Sequence, residues 1–210
     1  RKEPLKDKLI YEFIRVETEL NRVPSMMDIE VHGKYPVEIY VKTFKSWLEF
    51  LIEIKRASAS DLKIWEDDTV REFFIFLEKT LMSKSYKIPT LLSFIKEDQV
   101  IDEVSSITIG ENSSEFYSHK LHKKDLNNKK HKNLETWKAK DFEKLAVENP
   151  IKFLSKSSNQ FFDYDKDKKT FYLNKKISEM LSSDKEIIGK MKDRLEYRKV
   201  SYFKRKYGED

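Results

Sequence analysis

The sequence has 210 residues, enough to bury a hydrophobic core, and hydrophobic residues make up 39% of it, which excludes a disordered polymer. It contains no cysteine, which excludes a disulfide-stabilised secreted fold and any zinc site built from thiolates, and we expect a reducing, cytoplasmic environment. The formal net charge is +5, and no apolar run approaches the roughly 20 residues of a membrane-spanning helix, so we expect no membrane partner.

The positive charge is concentrated in two segments of the chain. Residues 119–140 contain eight lysines and two acidic residues, and residues 190–206 contain eight Lys or Arg residues and two acidic ones. Residues 57–118 are instead acidic, with twelve Asp or Glu residues against six basic ones. Two local basic patches on such a chain indicate a polyanionic partner. A solvated lysine-rich surface gives the same pattern, and charge alone favours neither interpretation.

The first 56 residues predict four short helices joined by tight turns. Apolar residues at helical spacing, with turn and capping residues between them, predict helices over Leu5–Leu20, Ser25–Val31, Val37–Phe44 and Trp47–Arg56. Ser25 is a predicted N-cap, with Asp28 completing a variant of the capping box, and Pro36 suits a first helical turn. The predicted core consists of Phe13, Leu20, Ile29, Tyr40, Phe44, Trp47 and Leu51. We therefore expect a helix-turn-helix-like unit at residues 1–56, followed by a small polar linker at residues 57–60.

The remaining residues, 61–207, predict a second module. Helices are predicted over Asp61–Met82, over Asp141–Leu154 as two short helices joined at Asn149-Pro150, and over Asp184–Tyr207. Strand-forming residues around a polar turn predict a β-hairpin at about residues 161–173, and a helix pair followed by a hairpin is the order found in winged helices. The predicted fold class is mainly α, with a helix-turn-helix-like four-helix unit followed by a winged-helix-like α+β unit with a small β-hairpin.

The first unit carries a recognisable set of motifs. They are Glu19-Leu20-Asn21-Arg22-Val23-Pro24-Ser25, Asp28-Ile29, Gly33, Tyr40 and Phe44-Lys45-Ser46-Trp47-Leu48-Glu49. Together they resemble the homing-endonuclease-associated repeat over about residues 5–56, with Lys45 at a position where that family usually has glycine. The resemblance implies a helix-turn-helix-like module of the kind that binds DNA in nucleases and related proteins. We expect the helix around Pro36–Phe44 to enter a DNA groove, where Lys42, Thr43 and Lys45 contact bases.

A second set of motifs covers about residues 83–207. They are Ser83-Lys84-Ser85-Tyr86-Lys87-Ile88-Pro89, Asn149-Pro150-Ile151-Lys152-Phe153-Leu154, Phe161-Phe162 to Phe171, and Leu195-Glu196-Tyr197-Arg198 with Tyr202-Phe203. These motifs are similar to the C-terminal regions of bacterial DEAD/DEAH-box superfamily-two helicases, including restriction-type ones. The resemblance implies that motor domains, with their ATP and magnesium, precede this region in an ATP-dependent helicase. The start at Arg1 without an initiator Met, and the lack of a Walker A motif, lead us to expect a fragment of that longer protein.

Two patterns in the sequence resemble metal sites without completing one. His119, His122 and His131 lie in the lysine-rich segment, but they have neither a cysteine nor a carboxylate pair beside them. The turn of the predicted hairpin has alternating aspartates like a calcium loop, but it lacks the glycine and the distal glutamate of such a loop. We therefore expect no catalytic, cofactor-binding or metal-binding residue in this chain, which is then not itself an enzyme. A nuclease site that uses Asp163 or Asp167 with a second carboxylate stays an alternative.

The predicted nucleic-acid contacts are mostly lysines, because lysine clusters bind phosphates and release counterions. Apart from the three residues named above, the predicted contacts are Lys120, Lys123, Lys124, Lys129, Lys130, Lys132, Arg198 and Lys199. Aromatic residues set among the basic ones either stack on unpaired bases or belong to the core; they are Tyr117, Trp137, Tyr197, Tyr202 and Phe203. The last helix either presents a basic face to DNA or packs on the acidic segment 57–118, which leaves the 119–140 patch as the phosphate-binding surface.

These observations predict a non-catalytic, DNA-binding accessory C-terminal region of a larger helicase or restriction-type enzyme. The expected partners are duplex or single-stranded DNA and the motor domains of the same protein. A protein-interaction module that docks on the motor domains or on another partner is the first alternative. A cryptic metal-dependent nuclease is the second.

Overall fold

The computed structural model describes residues 3–156 and 160–208, which form two compact units. The first unit contains the chain up to Thr80 together with Gly189–Ser201, and the second contains Leu81–Ile188 together with the residues from Tyr202 onward. The units do not coincide with the modules predicted at 1–56 and 61–207, because the chain returns to the first unit after residue 188. Across the described residues, no helix combines the length and the apolar character needed to span a bilayer.

The first unit is helical. Its helices are α1 (Leu5–Leu20), α2 (Met26–His32), α3 (Val37–Phe44), α4 (Trp47–Glu53), α5 (Ala59–Glu66), α6 (Asp68–Lys79) and residues 189–201 of α13 (Lys185–Tyr207). α1 and α3 have the predicted bounds, and α2 begins at the predicted capping box, in which Ser25 Oγ accepts from Asp28 N and the Asp28 carboxylate accepts from Ser25 N. α4 ends at Glu53 instead of Arg56, because Lys55 adopts a left-handed φ of 57°.

Residues 59 and 60 of the predicted linker 57–60 are the first residues of helix α5 (Ala59–Glu66), and Ser58 is its N-cap. Ser58 Oγ accepts a hydrogen bond from Asp61 N, and the Asp61 carboxylate accepts one from Ser58 N, which makes a second capping box. Asp67 ends α5 and caps α6 by accepting a hydrogen bond from Val70 N, so the single helix predicted over Asp61–Met82 is wrong. The small polar residues mark the beginning of a helix and not a connection between modules.

An aromatic cluster forms the core of the first unit. The rings of Phe13, Tyr40, Trp47 and Phe50 are buried and their centroids lie 5.0 to 6.1 Å apart, mostly edge to face. Leu20 is half-buried, and the other predicted core residues are buried. The core of the repeat-like helices was therefore predictable from their apolar periodicity.

Helix α13 completes this core from a distant part of the sequence. Tyr197 is buried in the hydrophobic core of the first unit, to which the four rings also belong. The Asp193 carboxylate accepts hydrogen bonds from Met26 N at 2.8 Å and Met27 N at 3.1 Å, at the start of α2. Burial raises the pKa of Asp193, although the two backbone bonds oppose that effect. The four predicted helices therefore share their core and one helix cap with the C-terminal helix.

The second unit combines helices with a small sheet. Its elements are α7 (Lys87–Leu92), β1 (Ile95–Lys96), β2 (Gln99–Val100), β3 (Glu103–Ser105), α8 (Ser106–Phe116), α9 (Lys120–Lys123), a 3-10 turn (Leu134–Thr136), α10 (Ala139–Ala146), an irregular turn (Val147–Ile151), α11 (Lys152–Leu154), β4 (Phe162–Asp165), β5 (Thr170–Leu173) and α12 (Lys175–Ser183). The predicted hairpin is β4–β5, with Tyr164 opposite Phe171, and β3 extends it to an antiparallel sheet in the order β3-β5-β4. The predicted fold class is confirmed, whereas β3, α8 and α12 were not predicted.

Helices α8 and α10 pack closely at Gly110. A Cβ atom at this position would lie 2.5 Å from the carbonyl oxygen of Ala139 and 2.8 Å from Glu143 N. Glycine is therefore required for the two backbones to approach each other. Ser106 Oγ also donates a hydrogen bond to the Glu143 carboxylate at 2.8 Å. The order β3, α8, α10, β4, β5 agrees with a winged-helix-like unit, and the 119–132 segment lies in the connection between its two helices.

Candidate nucleic-acid interface

The predicted lysine contacts of the second unit lie in the connection between α8 and α10. Lys120, Lys123 and Lys124 line a shallow groove together with Asn127, Leu134 and Glu135. Lys129, Lys130 and Lys132 follow on the next loop and are exposed. We call these six lysines the lysine cluster. The structure thus brings three of them into one groove, and Glu135 is the acidic residue of its lining.

Apolar residues between the lysines hold this segment on the second unit. Leu121 is buried against Tyr202 and Phe203, and Leu126 is buried in a cluster with Tyr117. A helix as short as α9 is not stable in isolation, so these tertiary contacts determine its position. The lysines that alternate with them stay partly or fully exposed.

Asp125 belongs to the same segment, but its carboxylate is fully buried. Oδ2 accepts hydrogen bonds from Ser85 N and Ser85 Oγ, both at 2.8 Å. Oδ1 accepts hydrogen bonds from Tyr202 OH, Tyr207 OH and Lys206 Nζ at 2.7, 2.8 and 2.9 Å. Burial raises the pKa of Asp125, but these bonds, that of Lys206 foremost, outweigh burial and lower the pKa to about 2. The carboxylate is therefore ionised and compensated inside the fold.

Lys84 also contacts Asp125, and the sequence did not predict this contact. Its Nζ donates a hydrogen bond to the backbone oxygen of Asp125 at 2.9 Å and lies 3.8 Å from Oδ1. Burial lowers the pKa of Lys84, and the Asp125 charge opposes that effect. Together with Lys206, two ammonium groups meet one carboxylate, so Asp125 does not offset the charge of the lysine cluster. The partners lie 41 and 81 residues from Asp125 in sequence, and no local pattern indicates such pairs.

The histidines of this segment are packed against aromatic rings. His122 stacks on Phe116 with ring centroids 4.1 Å apart, and its Nδ1 lies 2.9 Å from the carbonyl oxygen of Phe116, to which it donates. His131 packs against Trp137, and burial, followed by the charges of nearby lysines, lowers its pKa. Among the described residues, no three His, Asp or Glu side chains converge closely enough to hold a metal ion.

The second basic segment makes ion pairs within the first unit through residues 190–201, whereas Lys206 pairs with Asp125 in the second unit. Lys190 Nζ lies 3.0 Å from Asp61 Oδ1, and Arg194 Nε lies 2.9 Å from Glu78 Oε2. Asp61 and Glu78 belong to the acidic segment 57–118. Residues 190–198 of the last helix therefore pack on the acidic segment, as the packing alternative predicted, whereas Lys204 and Arg205 near its end are exposed, like the 119–140 patch.

The two predicted DNA contacts on α13, Arg198 and Lys199, also bind groups within the first unit. The Arg198 guanidinium donates hydrogen bonds to the carbonyl oxygens of Leu77, at 3.0 Å, and Thr80, at the C-terminal end of α6. Lys199 Nζ lies 2.8 Å from Glu196 Oε1, one helical turn away. Both residues belong to the first unit, so the structure does not group them with the lysine cluster.

The aromatic residues considered for base stacking belong to the cores. Tyr117, Tyr197, Tyr202 and Phe203 are each at most 3% exposed, so their rings are not accessible to a nucleobase. Trp137 is half-buried and packs edge to face on Phe142 with centroids 5.2 Å apart. The core interpretation therefore holds for these residues, and base stacking on the four buried rings is ruled out.

The predicted base-reading residues lie at the end of α3 in the first unit. Thr43 and Lys45 line a groove whose walls include Phe44 and Trp65. Lys42 is exposed and its Nζ lies 2.8 Å from Glu38 Oε1, so part of its charge is already compensated. Lys45 follows α3 with φ of 75°, a conformation that glycine adopts more easily than any other residue. The structure thus explains why a glycine suits this position in the repeat that the sequence resembles.

The aspartates of the β4–β5 turn stabilise the turn itself. Asp165 Oδ1 accepts hydrogen bonds from Asp167 N at 2.9 Å and Lys168 N at 3.0 Å. Asp163 accepts one from the backbone N of its neighbour. The carboxylates proposed for the nuclease alternative are therefore not gathered with a third metal-ligating group among the described residues.

Comparison with known protein families identifies one of the predicted resemblances. The profile of the homing endonuclease associated repeat matches residues 4–54, which comprise α1 to α4 and the groove residues Thr43 and Lys45. No curated protein and no solved structure matches the chain with significance.

Proposed function

We propose that this chain is a non-catalytic DNA-binding accessory region of a larger helicase or restriction-type enzyme, and that it anchors phosphates through the lysine cluster. The observation that carries the proposal is the groove lined by Lys120, Lys123 and Lys124, continued by three exposed lysines, with Asp125 compensated inside the fold. The match to the homing endonuclease associated repeat supports a DNA-related role for the first unit.

Phosphate binding by the cluster is electrostatic and independent of base sequence. Each phosphate that a lysine neutralises releases counterions from DNA, which makes the affinity fall with salt concentration. The logarithm of the affinity falls with a slope of about −0.9 per phosphate contact on duplex DNA, so six contacts give a slope of roughly −5. The groove with its three lysines is suited to follow a sugar-phosphate backbone.

The first unit contributes the contacts that read the DNA. Thr43 and Lys45 lie beside a groove at the end of α3, where their side chains can reach base edges if α3 enters a DNA groove. Lys42 contributes less, because Glu38 already pairs with its ammonium group. Arg198 contributes nothing in this proposal, since it is committed to the end of α6.

The helicase part of the proposal rests on the motifs of residues 83–207. The segments 83–89, 149–154, 161–171 and 202–203 belong to the second unit, whereas the motif at residues 195–198 belongs to the first. In this proposal the chain contains no catalytic or cofactor site, and ATP and magnesium bind to motor domains elsewhere in the enzyme.

The experiment that tests the proposal measures binding of labelled duplex and single-stranded DNA by fluorescence anisotropy at several salt concentrations, without divalent metal. The test variant replaces Lys123, Lys124, Lys129 and Lys130 with Gln. The matched control removes four exposed lysines elsewhere in the second unit, by Gln substitution of Lys152, Lys166, Lys168 and Lys175. Both variants lose the same charge, so a difference between them depends on position and not on net charge.

We expect the test variant to bind more weakly and its salt slope to become shallower by roughly 3 to 4, at about 0.9 per lost contact. We expect the control to keep a slope close to that of the unmodified chain. Absence of binding at low salt, or equal losses in both variants, would refute phosphate anchoring by the cluster.

The two alternatives give different results in the same assay. A docking module binds no DNA, and the charge asymmetry that suggested docking is partly explained by the pairs Lys190–Asp61 and Arg194–Glu78 within one unit. A nuclease cleaves DNA when magnesium or manganese is added, and loses that activity in the Asp163→Ala or Asp167→Ala variant.

A further inference from the structure

We propose that Asp125 is a positioning residue that holds the lysine cluster in the arrangement that binds phosphates. This inference rests on the proposed function, because it assigns a role within the same site. Asp125 follows Lys124 directly and precedes Lys129 by four residues, so its position sets that of both halves of the cluster.

The contacts of Asp125 connect three separate segments of the second unit. Its two carboxylate oxygens accept five hydrogen bonds of 2.7 to 2.9 Å, two of them from Ser85 and three from the end of α13. Its backbone oxygen accepts a further bond from Lys84 Nζ at 2.9 Å. Residue 125 is therefore fixed at both its side chain and its main chain.

The other polar contacts of the cluster segment are local in sequence, such as His122 Nδ1 with the Phe116 carbonyl and the Asn128 side chain with Lys130 N and His131 N. α9 has only four residues, and the loop after it runs to the 3-10 turn at Leu134 without regular secondary structure. Leu121 and Leu126 provide apolar contacts, but such contacts are not directional. The hydrogen bonds of the carboxylate supply the directional restraint to distant parts of the chain, namely Ser85 and the end of α13, and losing them allows the lysines to leave the groove geometry.

A positioning role for Asp125 predicts an effect on DNA binding opposite to that expected from its charge. An acidic residue beside a phosphate-binding lysine cluster repels DNA, so replacing it with a neutral residue strengthens binding if charge is all that matters. If Asp125 positions the cluster, the Asp125→Asn variant binds DNA more weakly although its net charge has increased by one. Glu135 is the matched control, because it is exposed and lines the same groove.

The experiment compares Asp125→Asn and Glu135→Gln with the unmodified chain by DNA anisotropy titrations across a salt series. For Asp125→Asn we expect weaker binding and a salt slope shallower by roughly 1 to 2, since one or two phosphate contacts are lost. For Glu135→Gln, which removes a negative charge from the lining of the groove, we expect tighter binding with an unchanged slope. The slope separates positioning from a general loss of folded protein, which reduces the bound fraction without changing the slope.

A more conservative variant keeps the test decisive if Asp125→Asn does not fold. Tyr207→Phe removes one of the five hydrogen bonds at the half-buried end of α13, and we expect a smaller decrease in affinity in the same direction. Unchanged or tighter binding by whichever variant folds, with an unchanged slope, overturns the role of Asp125 while leaving the proposed function intact. Absence of DNA binding by the unmodified chain removes both proposals.

Discussion

The buried pair of Glu78 and Arg194 gives the sharpest prediction for the stability of the first unit. Glu78 is 4% exposed and Arg194 is 1% exposed, and their charged groups meet at 2.9 Å. The second oxygen of Glu78 accepts a hydrogen bond from Trp47 N at 2.8 Å, at the start of α4. Glu78 thus joins α4, α6 and α13, and its charge can be removed in Glu78→Gln with little change of size.

The expected cost of Glu78→Gln follows from what remains around Arg194. The amide oxygen of Gln can still accept from Trp47 N, so the main loss is the compensating charge of a buried guanidinium. Removing one partner of a buried ion pair destabilises a protein by about 3 to 5 kcal/mol. The Phe74 ring, 4.8 Å from the guanidinium carbon, and a bond of 3.2 Å to the Lys190 carbonyl remain in place and favour the lower end, about 3 kcal/mol.

Urea unfolding followed by tryptophan fluorescence measures this loss, because Trp47 is buried beside the pair. With a urea dependence of about 1 to 3 kcal/mol per molar, the midpoint of the first unit falls by roughly 1 M or more. Glu196→Gln is the control, since it breaks the exposed pair with Lys199 on the same helix and costs at most about 0.5 kcal/mol. If the two variants unfold at the same urea concentration, the burial of charge at Glu78 is not what stabilises this unit.

Three further predictions concern stability. Gly110→Ala places a methyl group against the backbone of α10, and we expect the free energy of unfolding of the second unit to fall by about 1 to 3 kcal/mol. Gly189→Ala is the control, because a methyl group at that position meets open space. Lys45→Gly relieves a positive φ and should raise the unfolding free energy of the first unit by about 1 kcal/mol while weakening DNA binding; a loss of stability would contradict the strain at this position. The pKa of Asp125 is lowered from 3.8 to about 2, so its stabilisation is present above pH 4 and is lost as the pH falls towards 2, at roughly 2 kcal/mol in total. Measuring the unfolding midpoint as the pH is lowered tests this. We expect Asp125→Asn to lose this pH dependence, and an unchanged pH dependence in that variant would contradict the assignment to Asp125.

The sequence predicted the elements whose signals are local. α1 and α3 have the predicted bounds because apolar periodicity and the residues around Ser25 and Pro36 define their ends. The capping box at Ser58 was misinterpreted as a linker, since a helix cap and a flexible connection use the same small polar residues. β3 was not predicted because three residues are too few to establish an alternating pattern.

The sequence predicted which residues form the candidate site, but it did not predict which of the charges are neutralised by other residues. The lysines of residues 119–132 are evident from the sequence, as is the basic character of α13. Which charges are exposed depends on partners far away in the chain, such as Glu78 for Arg194, 116 residues apart, and Lys206 for Asp125, 81 residues apart. Local patterns carry no information about such pairs, so the sequence could not distinguish the exposed patch from the paired one.

The path of α13 has a consequence for the order in which this protein can fold during synthesis. Asp193 and Tyr197 complete the cap and the core of the first unit, and Tyr202 to Tyr207 complete the hydrogen bonds of Asp125 in the second. The ribosome adds these residues after nearly all of both units has been made. Neither unit can therefore close its core while it emerges, and both must wait for residues 189–207 to leave the exit tunnel. A nascent chain arrested before that helix presents two unfinished cores to chaperones and proteases at once.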